Sequence, residues 1–314
     1  MATTTRWRYF SDEEMRSIFD QVNNWGRWGA EDGRGALNHI TPELIRAAAR
    51  LVETGRPVSL ARDFPTAPGP ANPFPAQHYM IVAGDACCPV EPPGLEMTAD
   101  YIGIAFHGLA CTHLDSLCHM FADGRMYGGF PTSDVKSTGA LRGTVMDLRD
   151  GVVSRGVLLD IPRALGKPFV AHDEVIGIEQ LELAERTQQV RVGTGDVLVV
   201  RMGRDVRPAN VALRPLAGLH PEVIPWLHAR EVAALGGDGI QDPGRGAPKS
   251  NDLWSAPIHV CGLASMGLHL LDNLYLEDAR TVCEEQNRWA FQICIAPLRI
   301  QGGTGSPVNP IALF

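Results

Sequence analysis

Short apolar runs of strand length recur along the chain, at residues 101–106, 144–148, 156–161, 197–202, 232–236, 267–271 and 293–300. Several are apolar throughout rather than alternating, the pattern of strands covered on both faces. Helical signals lie between and before them. Residues 178–186 and 221–230 read as helices. Ser11-Asp-Glu-Glu14 is a capping box, and Met15, Ile18, Phe19 and Val22 follow it at helical spacing. Thr41 with Pro42 opens another helix, which Gly55 can close. Strands interleaved with helices predict an α/β domain whose central sheet is layered with helices.

A chain of 314 residues can bury about three-quarters of its unfolded surface, so a sizeable core is within reach. No linker-like stretch divides the apolar blocks. One domain is therefore expected over residues 1–314, with a helical N-terminal entry over about 1–60 and a proline-rich arm over about 62–100. Such arms often cover a site or reach a neighbouring subunit. Phe74, Tyr79, Met80, Ile81 and Val82 make this one too apolar to lie free in water, which predicts a homo-oligomer, most simply a dimer. A net charge of −8 with three lysines argues against nucleic acid, which needs a clustered basic face. No stretch of eighteen apolar residues is present, and the first residues lack a signal-peptide core, so the expectation is a soluble, cytoplasmic protein without membrane contact. Seven cysteines without a CxxC pair indicate neither a disulfide framework nor a structural zinc site.

The ligand chemistry is concentrated between His107 and His119, thirteen residues that hold His107, His113, Asp115 and His119. Imidazole and carboxylate suit Zn²⁺, Mn²⁺ or Fe²⁺. His113 and Asp115 are two apart, so on a strand they project from one face and can grip one ion. Burying several imidazoles with a carboxylate and no cation costs several kcal/mol. His107 would stand about 20 Å from His113 on a straight strand, so it can join only if the chain bends, and Gly108 can supply the bend. His119 lies four residues past Asp115. A turn there would place it beside the ion as a proton shuttle, its ordinary pKa near 6.5 suiting that duty. Cys111 and Cys118 read as small buried hydrophobes.

Thr112-His113-Leu114-Asp115 followed by His119 resembles the HxGTHxDxPxH signature of the metal-dependent cyclase superfamily, which includes bacterial kynurenine formamidases and isatin hydrolases. Further blocks resemble that superfamily in the right order. They are Trp25-Gly-Arg-Trp28-Gly with Gly35-Ala-Leu-Asn38, Gly195-Asp196-Val-Leu-Val-Val-Arg201, Leu270-Leu-Asp272-Asn273-Leu, and Pro297-Leu-Arg299 through Gly305-Ser-Pro307-Val. The match runs from about Trp25 to the end of the chain. It departs at Leu109, where the signature has its first histidine, at Cys111 for its glycine and at Leu117 for its proline. Asp272 stands where the formamidases carry a glutamate that helps hold two zinc ions. The resemblance implies a swivelling β/β/α fold with a central mixed, barrel-like sheet. It implies metal ligands at His113, Asp115 and Asp272, with His107 and His259 as further candidates. His259, thirteen residues before Asp272, resembles the late histidine ligand, and a helix-cap or pocket role is its alternative. One or two ions, Zn or Mn, fit this set.

The function expected is metal-assisted hydrolysis of a cyclic amide, lactone or N-formyl amide, with His119 catalytic and a small aromatic or cyclic substrate. Trp25 and Trp28 could wall the substrate or anchor the N-terminus. Two alternatives stay open, a metal-dependent cyclase or dehydratase and a non-catalytic binder on the same fold. His269 alternates away from Asp272 and reads as packing. His220 and His228 could line the pocket but are expected at solvent, His39 and His172 on the surface, and His78 in the arm could close over a substrate. No GxSxG elbow is present, and the glycine-rich 302–306 segment lacks GKS/T and a following helix.

Overall fold

A computed structural model describes residues 7–70, 72–85, 96–171, 173–208, 217–244 and 247–314. Its centre is a nine-stranded mixed sheet that curls into a half-barrel. The order across it is Pro57–Ser59, Ile311–Leu313, Ala290–Ile295, Val152–Asp160, Val197–Arg201, Ala234–Gly237, His269–Asp272, His113–Asp115 and Gly305–Pro307. The four strands from Val152–Asp160 to His269–Asp272 run parallel, and the flanking pairs are antiparallel.

Alternation along these strands divides the core in two. Val157, Leu159, Leu198, Val200, Leu235 and Leu270 face one apolar cluster, and Leu158, Val197, Val199, Ala234, Leu271 and Leu114 face the other. The first cluster is covered by Met15, Ile18 and Phe19 of helix Asp12–Gln21, by Leu181 and Ala184 of Ile178–Gln188, and by Val223, Ile224 and Leu227 of Val223–Ala229. The second packs Ala279, Val282 and Cys283 of helix Glu277–Gln286. The expectation of strands buried on both faces is met. The capping box at Ser11 is also present, with Ser11 accepting from the Glu14 amide and the Glu14 carboxylate from the Ser11 amide.

Three expectations are corrected. Residues 144–148 form a 3₁₀ turn at Val145–Leu148, because Thr144 caps the Met146 amide and burial falls on Val145 and Leu148, three apart rather than alternating. Gly267 closes the preceding helical turn in the left-handed conformation, so the strand starts at His269. The proline-rich arm is not loop throughout, since Gln77–Val82 pairs with Ala99–Gly103 as an exposed two-stranded ribbon. Among the described residues no helix is long and apolar enough to cross a membrane.

Candidate metal centre

The strand His113–Asp115 lies between His269–Asp272 and Gly305–Pro307. Asp272 is directly opposite His113, and Leu270 and Gly305 are opposite Asp115. Cross-strand partners share a face, so His113, Asp115 and Asp272 converge while Leu114 and Leu271 turn into the core. A side chain at position 305 would put its Cβ 2.5 Å from the Leu114 carbonyl and 2.9 Å from His107 Cε1, so glycine there leaves the room that the His107 ring fills. Gly108 has φ +144, a value that favours glycine, and the chain bends there to bring His107 back over Asp115. Past Asp115 the chain turns, the His119 amide donating to the Ser116 carbonyl, and His119 returns to the same spot. His259 ends the short helix Pro257–His259, which continues into a π-helical turn over Val260–Met266, an irregularity frequent at functional sites.

These elements bring all six expected residues together. Asp115 Oδ1 lies 3.0 Å from His107 Nδ1 and 3.5 Å from His113 Nε2. Its Oδ2 lies 3.6 Å from His259 Nε2 and 3.9 Å from His119 Nε2. Asp272 Oδ2 is 3.4 Å from His259 Nε2 and 3.9 Å from His113 Nε2. The His107 and His119 rings stack, with centroids 4.1 Å apart. Both oxygens of the buried Asp115 carboxylate, and His107 Nδ1, lack a partner in hydrogen-bond geometry. Burial would raise Asp115, but His107, His259, His119 and His113 outweigh it and hold the carboxyl well below the usual carboxylate range. Burial likewise opposes charge on His259, yet Asp272, Asp115 and Asp242 hold its imidazole well above the ordinary value. Burial pushes His119 down to about 4 against the pull of Asp115, leaving it neutral near pH 7.

The donor set fits a divalent cation. Two triads, His107–Asp115–His119 and His113–Asp115–Asp272, each offer ligand atoms within 4.8 Å of one another. Donors about 2.1 Å from a shared tetrahedral ion stand about 3.4 Å apart, close to the separations around Asp115. The Asp115 carboxylate is ringed by imidazoles but holds no aligned hydrogen bond, an arrangement in which a shared cation could take its oxygens. Asp115 belongs to both triads, so the arrangement accommodates one ion or two.

A cation held through His259 Nε2 would have to displace the proton that Asp272, Asp115 and Asp242 hold there. We expect divalent-cation affinity to climb as pH rises from about 6 towards the raised His259 value, with proton release on binding. In the metal-free protein that imidazole contributes stability in full below its unfolded pKa of about 6.5, a contribution lost as pH rises through the folded value. Calorimetric titration in buffers of different ionisation enthalpy measures the released proton. Binding with no proton release near neutral pH would contradict the assignment of His259.

Sequence reasoning missed Asp242. Its Oδ2 lies 2.6 Å from His259 Nδ1, and its carboxylate accepts the Ile258 and His259 amides, so it fixes the ring with Nε2 towards Asp115 and Asp272. Cys111 and Cys118 are buried, burial pushes the Cys118 thiol up to about 12, and neither joins a donor cluster among the described residues. His269 is buried with Nδ1 3.1 Å from the Asp115 carbonyl, the packing role expected. His220 departs from expectation. It is fully buried between Trp7 and Phe10, with Nε2 2.9 Å from the Arg8 carbonyl. His39, expected on the surface, is instead mostly covered, edge-on to Trp28, and His228 Nε2 is 3.2 Å from Asn24 Oδ1. Trp25 donates from Nε1 to the Ala264 carbonyl and meets Phe19 edge-on, which anchors the N-terminal segment. His78 is half-exposed on the arm, 3.0 Å from Asp100. His172, Cys87 and Cys88 lie outside the described residues.

The curled nine-stranded mixed sheet matches the fold of the Cyclase family. The family's model matches residues 39–241, and the chain belongs to that family. A solved structure described as a novel cyclase is 32% identical, with a TM-score of 0.83 over 94% of this chain and 99% of its own. Isatin hydrolase A from Labrenzia aggregata, bound to benzyl benzoate, is 22% identical with a TM-score of 0.58, covering 86% of this chain and 98% of its own. An isatin hydrolase bound to the product analogue thioisatinate is 18% identical with a TM-score of 0.58, covering 88% and 99%. At these identities the isatin hydrolases share the fold. A comparison with curated proteins gives no match.

Proposed function

We propose that the chain is a metal-dependent hydrolase that opens the carbonyl of a cyclic amide, lactone or N-formyl amide in a small aromatic or cyclic substrate. The observation that carries this reading is the buried Asp115 carboxylate, approached by four imidazoles at 3.0 to 3.9 Å with neither oxygen in an aligned hydrogen bond. His113, Asp115 and Asp272 would hold a zinc or manganese ion, with His107 and His259 as further ligands. Such an ion, when bound, supplies Lewis acidity to a carbonyl oxygen and brings the acidity of water towards neutrality. Asp242 orients His259, and the His113 Nδ1–H donates to the Cys111 carbonyl at 2.8 Å, which leaves Nε2 of both rings towards the carboxylates. His119, neutral near pH 7, takes the proton from the attacking water and returns it to the leaving nitrogen or oxygen.

A cleft of about 210 Å³ lined by Phe74, Phe106 and Cys111 reaches the cluster at His107, which supports an aromatic group approaching from that side. The isatin hydrolase neighbours, one bound to benzyl benzoate and one to thioisatinate, lend support to an aromatic substrate. Five free cysteines among the described residues support a reducing, cytoplasmic setting.

Chelation should abolish turnover and added zinc or manganese restore it, with products heavier than substrate by one water. Products lighter by one water would assign a dehydrating cyclase instead. A protein that takes up no metal and turns nothing over would be a binder on this fold.

The arm supports a homo-oligomer, since Phe74, Tyr79, Ile81 and Ile102 are all more than half exposed on it. We expect a dimer or larger species by light scattering at micromolar concentration. A monomer there would contradict this.

A further inference from the structure

The turn that carries His107 is held from behind by residues outside both donor triads. Asn273 follows Asp272 directly and has φ +56, the left-handed conformation that aims its amide back at the 107–111 segment. Its Nδ2 donates to the Gly108 carbonyl at 2.7 Å and to the Cys111 carbonyl at 3.1 Å. Its Oδ1 accepts from Arg204 Nη1 at 2.7 Å. Arg204 Nη2 in turn donates to the Leu109 carbonyl at 2.6 Å. Three carbonyls of one irregular turn are thus bound by two side chains, both buried.

The clamp is itself braced. The Asp238 carboxylate accepts the amides of Met202, Gly203 and Arg204 at 2.8 to 2.9 Å, fixing the backbone from which Arg204 departs. The Asn273 carbonyl accepts from Thr112 Oγ1 at 2.6 Å and from Arg62 Nε at 3.0 Å. Arg204 gives these hydrogen bonds to neutral oxygens, a costly use of a buried guanidinium, and burial pushes it down to about 10. The turn needs such help. Its bend rests on Gly108 at φ +144, and glycine there leaves the segment many other conformations.

We propose that Asn273 and Arg204 are positioning residues that fix the 107–111 turn so that His107 meets Asp115, and that they set the cation affinity of the site through His107. The inference rests on the metal-site reading above. Side chains behind metal ligands typically contribute 10–100-fold in affinity.

A double-mutant cycle on the intact protein tests it, with zinc affinity read by competition against a chromophoric chelator. Asn273→Gly removes the amide while tolerating the left-handed backbone. Both Asn273→Gly and His107→Ala are expected to weaken zinc binding about tenfold or more. Their combination should lose clearly less than the sum of the two single losses, because without His107 all that the clamp still steadies is the Cys111 carbonyl behind His113. Unchanged affinity in Asn273→Gly, or a full additive loss in the double variant, would overturn the proposal. If Asn273→Gly does not fold, Arg204→Lys enters the same cycle, since one ammonium nitrogen does not reproduce the two separate guanidinium nitrogens that serve Asn273 and Leu109, and the same two outcomes decide. Should Asp115→Ala retain zinc, the metal-site reading itself falls. Zinc lost from Asp115→Ala but held normally by Asn273→Gly overturns the clamp alone.

Discussion

Asp115→Ala is expected to lose metal and turnover together, and His113→Ala to do the same. Asp115 is the residue common to both donor triads, and its two oxygens face His107 and His113 on one side, His119 and His259 on the other. Deleting it leaves four imidazoles and Asp272 as the one carboxylate among the proposed ligands. It also removes one of the carboxylates that keep His259 protonated in the metal-free state. Losing one ligand of three or four usually lowers affinity by orders of magnitude. Elemental analysis of the purified variants alongside a turnover assay reads both effects. Stoichiometric metal with near-normal turnover in either variant would show that the chemistry lies elsewhere.

His119→Ala should separate catalyst from ligand, keeping its metal while turnover falls about 10²–10⁴-fold, the usual contribution of general acid–base help. His119 Nε2 stands 3.9 Å from Asp115 Oδ2, the longest of the four imidazole approaches to that carboxylate, and its side chain keeps about a quarter of its surface exposed. His113, by contrast, is almost wholly buried. A neutral imidazole that keeps a quarter of its surface at solvent can exchange a proton with it between turnovers. Added imidazole should restore part of the rate by filling the vacated space against His107. If His119→Ala loses its metal as readily as His113→Ala, His119 is a ligand. The proton shuttle would then fall to His107 or His259.

Much of the site was legible because its chemistry is local. His113 and Asp115 sit two apart on a strand, and a period of two fixes a shared face whatever surrounds it. The turn after Asp115 and the bend at Gly108 could also be anticipated, since a glycine and a run without β-branched residues permit them. The sheet was legible where apolar runs were long enough to be buried on both faces, as at Val197–Arg201. Residues 144–148 misled because an apolar pair three apart looks strand-like in so short a window until Thr144 is seen to cap it. Asp242, Arg204 and Asn273 were silent for a different reason. Each acts on a partner from 17 to 165 residues away, and no periodicity marks which polar residue at one strand end will meet which loop carbonyl. His220 looked solvent-facing beside a helix, but the N-terminal segment with Trp7 and Phe10 folds over it.

The reading of the site as a metal centre is tested most directly by an anomalous-scattering map from crystals grown with zinc or manganese, collected at the metal's absorption edge. The expected result is one or two peaks bounded by Asp115, with His113 and Asp272 among the ligands, His107 or His259 completing the shell, and His119 beside it but not bound. A map with no peak at Asp115, or with its only peak outside this cluster, would contradict it.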